Sequence, residues 1–185
     1  VVGVNIESLG PDVGIGDICR IRLGGRHYVY SEVVGFREDK VILMPYGDIS
    51  GIKPGAMVST TGQALHISVG VSLLGRILDG LGNPIDGRGQ VFADVEHPVM
   101  NEVINPLERK PIRSQLGTGI RSIDGLLSIG KGQRIGIFSG SGVGKSTLLG
   151  MIAHYTNADV NVIALVGERG REVNEFLQEE LGQEG

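Results

Sequence analysis

Residues Ser139, Gly140, Ser141, Gly142, Val143, Gly144, Lys145, Ser146 and Thr147 form one continuous run whose residue types suit the binding of phosphate. Glycines let successive backbone N–H groups converge on an anion without a Cβ in the way. The run opens an apolar segment of helical character, and a helix N-terminus adds unpaired donors and the positive end of a dipole. Lys145 supplies a full charge for the β- and γ-phosphates, and the Ser146 hydroxyl is placed to coordinate Mg²⁺. The strict pattern of such a loop is a glycine, four residues, then Gly-Lys-Ser/Thr. Here Ser139 stands at the first position. A small residue there begins the turn and need not touch phosphate. A dinucleotide fingerprint fails on spacing, because Gly140-Ser141-Gly142 needs a third glycine where Lys145 sits.

A second candidate is Glu168, in Gly167-Glu168-Arg169-Gly170-Arg171-Glu172. It follows the apolar run Val160–Val166. Ligands of open parallel sheets gather at the carboxyl ends of the strands. A carboxylate delivered there can orient and activate an attacking water. The alternative is a solvated turn ahead of a helix.

These residues need elements to hold them. Arg134–Phe138 reads as a strand, Lys145–Tyr155 as a helix and Val160–Val166 as a buried strand, a βαβ unit with parallel strands. Arg171–Leu181 places Val173, Phe176, Leu177 and Leu181 on one helical face. Gly119–Leu127 is spaced for a short helix, and Asp94–Arg113 reads as an irregular connection. Ahead of these lie short apolar runs between turn signals: Val1–Ser8, Asp17–Leu23, His27–Phe36, Val41–Met44, Met57–Thr61 and Ala64–Val69. Their spacing predicts a small closed β-barrel over residues 1–66, with a plain β-sandwich as the alternative. The pattern changes beyond that point, so residues 67–185 form a second domain.

Composition limits the rest. The 185 residues include 31 glycines, scattered between apolar runs as tight turns require, and the net charge of −4 argues against a general nucleic-acid surface. The single Cys19 excludes an internal disulfide framework and a cysteine-cluster zinc site. It reads as a core filler. His27, His66, His97 and His154 lack metal spacing. Asp79 and Asp86 sit in turn-rich sequence and read as turn-fixing carboxylates. The acidic tail of Glu172, Glu175, Glu179, Glu180 and Glu184 reads as the wet face of a helix.

The chain resembles the flagellum-specific and type III secretion export ATPases, relatives of the rotary ATP synthase catalytic subunit. The likeness is carried by Leu74-Gly75-Arg76-Ile77-Leu78-Asp79-Gly80-Leu81-Gly82, Pro84-Ile85-Asp86-Gly87 and Thr118-Gly119-Ile120-Arg121-Ser122-Ile123-Asp124-Gly125-Leu126. It continues through Gly132-Gln133-Arg134, Gly136-Ile137-Phe138, the glycine loop, and the stretch from Asn161 to Val173. The wording around Ala158–Leu165 is closer to the flagellar than to the virulence type.

The resemblance implies an N-terminal β-barrel followed by a partial α/β RecA-like P-loop ATPase domain. It implies ATP and Mg²⁺ as ligands, with Lys145 on phosphate, Ser146 on the metal and Glu168 as the catalytic carboxylate. It also implies a homo-hexamer, cytoplasmic at the inner-membrane base of the export apparatus and peripheral to the membrane. The implied partners are an export regulator, a central stalk protein, chaperone–substrate complexes and the export gate, with no nucleic acid. A second metal-supporting acid, an arginine finger and an adenine wall have no counterpart in this sequence. The expectation is therefore a fragment that is inactive alone, from a parent that hydrolyses ATP to energise protein export. The alternatives are a rotary ATP synthase-type subunit and a non-catalytic assembly module.

Overall fold

A computed structural model of the chain describes residues 5–25, 27–92, 95–140 and 142–182. The chain divides into two compact units, Val1–Val103 and Ile104–Gly185.

The first unit is built on strands that alternate inward apolar and outward polar residues, the period of a half-buried sheet. Strand β2 (Asp17–Gly24) buries Ile18, Cys19 and Ile21 and exposes Arg20 and Arg22. Strand β3 (His27–Arg37) buries Val29, Ser31 and Val33 and exposes Tyr28 and Tyr30. The two pair antiparallel with Ile21 opposite Val29, and β3 turns into β4 (Lys40–Pro45), where Val41 and Leu43 face inward. Strand β1 (Ile6–Ser8) adds to β4 and β5 (Val58–Ala64) adds to β2, so the order is β1-β4-β3-β2-β5. Register shifts interrupt the β2–β3, β2–β5 and β3–β4 ladders. Such bulges bend strands and raise the local twist, as a sheet wrapping a core requires. Cys19, Ile21, Val33, Val41 and Leu43 form that core, with Ile6, Val13, Ile52, Ala56 and Val58 packed against it.

The barrel-type strands fall where the sequence places them, with three differences. Residues 1–4 of the expected strand Val1–Ser8 lie outside the described residues. The fifth strand runs on to Ala64, and a separate strand β6 (His66–Val69) leaves the sheet to pair with β7 (Val95–Pro98). The stretch Asp94–Arg113, expected to be irregular, thus holds a strand and a 3₁₀ turn at Pro106–Glu108. Val95-Glu96-His97-Pro98 has no apolar alternation. Its ladder is main-chain pairing near the surface, which periodicity cannot reveal.

Between β6 and β7 two carboxylates shape the chain. Asp79 accepts hydrogen bonds from the N–H of Leu81 (2.9 Å) and of Asn83 (2.8 Å). Asp86 accepts two from the Arg76 guanidinium, at 2.6 and 2.9 Å, and one from the Arg88 N–H at 3.0 Å. The Arg76–Asp86 pair is largely enclosed, with side chains 12% and 4% exposed. Both aspartates fix turns, as their sequence context suggests.

In the second unit, helix α1 (Arg121–Leu126) follows a loop organised by Asp124. The Asp124 carboxylate accepts from the Thr118 N–H (2.9 Å), the Thr118 hydroxyl (2.8 Å) and the Gly119 N–H (2.9 Å). Strands β8 (Gln115–Leu116) and β9 (Ile129–Gly130) make a short antiparallel pair. Helix α2 spans Lys145–Tyr155, as the sequence predicts. Helix α3 (Gly170–Glu175) continues into a π-helical turn at Phe176–Glu180. Phe176 is buried there, and Val173, Leu177 and Leu181 are half-buried.

The expected βαβ unit is not formed. Neither Arg134–Phe138 nor Val160–Val166 is a strand, and Phe138, Val162 and Val166 are 96%, 90% and 88% exposed. An apolar run marks residues able to pair and be covered on both faces. It does not guarantee a ladder partner, and among the described residues these two runs have none.

The Arg76 guanidinium, followed by the Arg88 N–H, holds the Asp86 carboxyl well below the usual carboxylate range. A carboxylate depressed in the folded state stabilises the fold above its unfolded pKa of about 3.9, and that stability is lost as pH falls further. Asp86→Asn is therefore expected to lower the unfolding temperature at pH 7 and to narrow its gap from wild type below about pH 4. Thermal unfolding of both chains across pH 7 to pH 2 measures this; a constant gap contradicts it.

Candidate functional site

Helix α2 is preceded by Gly144, whose backbone sits in the left-handed region at φ 88°, ψ 22°. That conformation ends the loop and turns the chain into the helix in one step. The first helical hydrogen bond runs from the Leu148 N–H to the Gly144 carbonyl at 2.9 Å. The N–H groups of Lys145, Ser146 and Thr147 therefore have no partner inside the helix, and no side chain caps them. No acidic residue lies in the first turn. Gly142 also has positive φ, at 75°, and nothing lies within 4 Å of a Cβ placed on Gly142 or Gly144. Backbone conformation, not crowding, is what asks for glycine at these two positions.

Lys145 and Ser146 are exposed, and among the described residues neither side chain makes a hydrogen bond or ion pair. A cationic amine, a hydroxyl and three unpaired amides on one open turn suit a phosphate group and the divalent cation it carries. The amides and the Lys145 amine suit the phosphate oxygens, and the Ser146 hydroxyl offers the oxygen that a phosphate-bound Mg²⁺ takes. Ser139 and Gly140 are exposed on the approach to the loop. Ser141, also expected at the site, lies outside the described residues. Val143 is 66% exposed.

Thr147 behaves differently from its neighbours. Its hydroxyl donates to Glu180 Oε1 at 2.8 Å. The π-helical turn that carries Glu180 rests on α2, where Gly150 is buried. A Cβ on Gly150 would lie 2.7 Å from the Glu180 Cβ and 3.1 Å from its carbonyl oxygen, so only glycine admits this approach. His154 Nε2 lies 2.7 Å from the same carbonyl. The far end of α2 is tied down as well. Asn157 accepts from the Gly117 N–H at 3.0 Å, and Thr156 donates to the Gly117 carbonyl at 3.1 Å. Asp124 shapes the loop that receives these bonds.

Glu168 is exposed in the irregular stretch before α3. Among the described residues it makes no ion pair and does not meet Lys145. Arg169 reaches Glu172 at 3.7 Å and Arg171 reaches Glu175 at 2.7 Å. The acidic tail is thus not uniformly wet, because Glu180 is engaged with α2. The sequence signal for this was faint: a small residue, Gly150, in the middle of a helix marks a close approach. Two of the histidines bind locally, His66 to the Ala64 carbonyl and His97 to the Pro98 carbonyl. No cluster of metal ligands occurs among the described residues, and no helix there is long and apolar enough to cross a membrane.

Comparison with known proteins places this geometry in context. Residues 1–62 match the β-barrel domain of the ATP synthase alpha/beta family, and residues 119–185 match its nucleotide-binding domain. The flagellum-specific ATP synthase of Bacillus subtilis is 53% identical over 189 residues, covering 100% of this chain and 43% of that protein. The type 3 secretion system ATPase of Xanthomonas euvesicatoria is 45% identical, covering 100% of this chain and 42% of that protein. The assembled ATPase EscN of the enteropathogenic E. coli type III secretion system superposes with a TM-score of 0.86 at 44% identity. It is covered over 44% of its length, and EscN is also solved in complex with its central stalk EscO. The chain spans about two-fifths of the length of the relatives it matches.

Gly144→Ala is expected to destabilise the second unit by about 1–2 kcal/mol, the cost of forcing a Cβ into the left-handed region. Gly140→Ala, where φ lies outside the left-handed region, serves as the control and is expected to be near neutral. Urea denaturation of both variants separates them; equal midpoints contradict the strained start of α2.

Proposed function

The chain belongs to the ATP synthase alpha/beta family, and on that premise we propose that it is the barrel and the first nucleotide-binding portion of a protein-export ATPase. The observation that carries this reading is the open first turn of α2, where three unpaired amides, Lys145 and Ser146 share one face of a glycine-shaped loop. The parent protein hydrolyses ATP to ADP and phosphate in this reading. It works as a hexamer around a central stalk, in the cytoplasm at the inner-membrane base of the secretion apparatus. A regulator, chaperone–substrate complexes and the export gate complete its partners. Residues 1–66 are assigned to the barrel domain and residues 67–185 to the start of the ATPase domain.

In this scheme Ser139 to Gly144 shape the loop, and the amides of its last residues bind the terminal phosphates. Lys145 adds the full charge that backbone dipoles lack and follows the charge that builds on the transferred phosphoryl group. The Ser146 hydroxyl is the protein's ligand to Mg²⁺. Mg²⁺ held there would neutralise phosphate charge. Glu168 orients the attacking water and takes its proton. In the structure Glu168 is free of ion pairs among the described residues, which leaves its carboxylate available for that work.

Lys145→Ala is expected to weaken Mg·ATP binding to the chain at least tenfold, read by calorimetric titration; unchanged affinity contradicts the phosphate reading. In the full-length protein, Glu168→Gln is expected to bind ATP nearly normally. It is expected to slow single-turnover hydrolysis by about 10²–10⁴, because the amide keeps the shape and removes the base. A rate within about tenfold of wild type assigns Glu168 to structure instead.

A further inference from the structure

Among the described residues of the phosphate loop, Thr147 alone has its side chain engaged in a hydrogen bond. Its hydroxyl carries one proton, and that proton is given to Glu180 Oε1 at 2.8 Å. The contact is not a chance touch of two mobile side chains. The backbone of Glu180 is fixed from below by the buried Gly150, which sits too close for any larger residue. It is held from the side by His154 Nε2 at 2.7 Å from the Glu180 carbonyl. The π-helical turn is closed by the Leu181 N–H on the Phe176 carbonyl at 3.1 Å, and Phe176 is 5% exposed. Single-turn π segments recur at functional sites. Here the turn aims a carboxylate at the third residue of the helix that carries Lys145.

We propose that Glu180 is a positioning residue of the phosphate site, acting as a latch on the Thr147 hydroxyl. While the carboxylate holds the proton, the hydroxyl cannot donate to a phosphate oxygen. Binding that recruits Thr147 must transfer this hydrogen bond from carboxylate to phosphate, with no covalent change. The π-helical turn that carries the latch continues α3, which begins directly after Glu168 and Arg169, so the same step loosens that turn from α2 and links phosphate occupancy to the segment bearing the candidate base. The inference rests on the phosphate-site reading above.

The test is a double-mutant cycle on the chain, read as affinity for Mg·ATP by calorimetric titration. Glu180→Gln keeps the size but offers an amide that can donate to the Thr147 oxygen, freeing its proton. It is expected to tighten binding about three- to tenfold, the range of one net hydrogen bond. Thr147→Val removes the hydroxyl, and adding Glu180→Gln to it is expected to change nothing further. Glu179→Gln removes the same charge from the neighbouring residue and is expected to have less than half the effect in fold terms. Circular dichroism confirms that each variant is folded. An affinity gain that persists in the Thr147→Val background is a general charge effect and overturns the latch. Unchanged or weaker binding in Glu180→Gln also overturns it. Failure of Lys145→Ala to weaken binding instead removes the phosphate-site reading, and the latch with it.

Discussion

The left-handed backbone of Gly144 is the constraint on which the second unit turns. At φ 88° it reverses the loop and begins α2 without a cap, so three amides are left unpaired on one exposed turn. Unpaired helix amides are costly when buried and useful when a ligand can satisfy them. Lys145 is the first residue of that turn, where its charge adds to the dipole of the helix. A residue with a Cβ at Gly144 would strain this start, and a side-chain cap would occupy the donors that phosphate needs.

The rest of the second unit keeps that helix end fixed. Gly150 lets the π-helical turn lie against α2, and Glu180 reaches back to the first turn. At the opposite end, Asn157 and Thr156 bind the Gly117 backbone, within a loop that Asp124 organises by three hydrogen bonds. The physical pattern is consistent. Short polar contacts pin both ends of α2, and the glycine loop itself is left open. In the first unit the same economy appears as Asp79 and Asp86 closing turns, with Arg76 and Asp86 forming the most enclosed ion pair among the described residues.

Much of this was legible in the sequence. Short apolar runs between turn signals marked β2, β3 and β4, and the helical period marked α2 to the residue. Cys19, Asp79 and Asp86 took the structural roles their surroundings imply. The misses share a cause. Periodicity reports what one side of an element faces, and it is silent on pairing partners. Thus β7 was hidden, because its ladder with β6 is main-chain only, and the runs Arg134–Phe138 and Val160–Val166 were read as strands on apolar content that no described ladder uses. Glu180 was hidden for another reason. Its contact depends on how a π turn docks on α2, a tertiary fact with only Gly150 as a trace.

The central claim is that phosphate lands on the first turn of α2. Backbone amide chemical shifts of the isotopically labelled chain, followed during a titration with Mg·ATP, test it most directly. The account predicts that the largest shifts fall on Gly142 to Thr147, with smaller ones reaching Gly150 and Glu180. Saturating shifts elsewhere with this turn unmoved would contradict it.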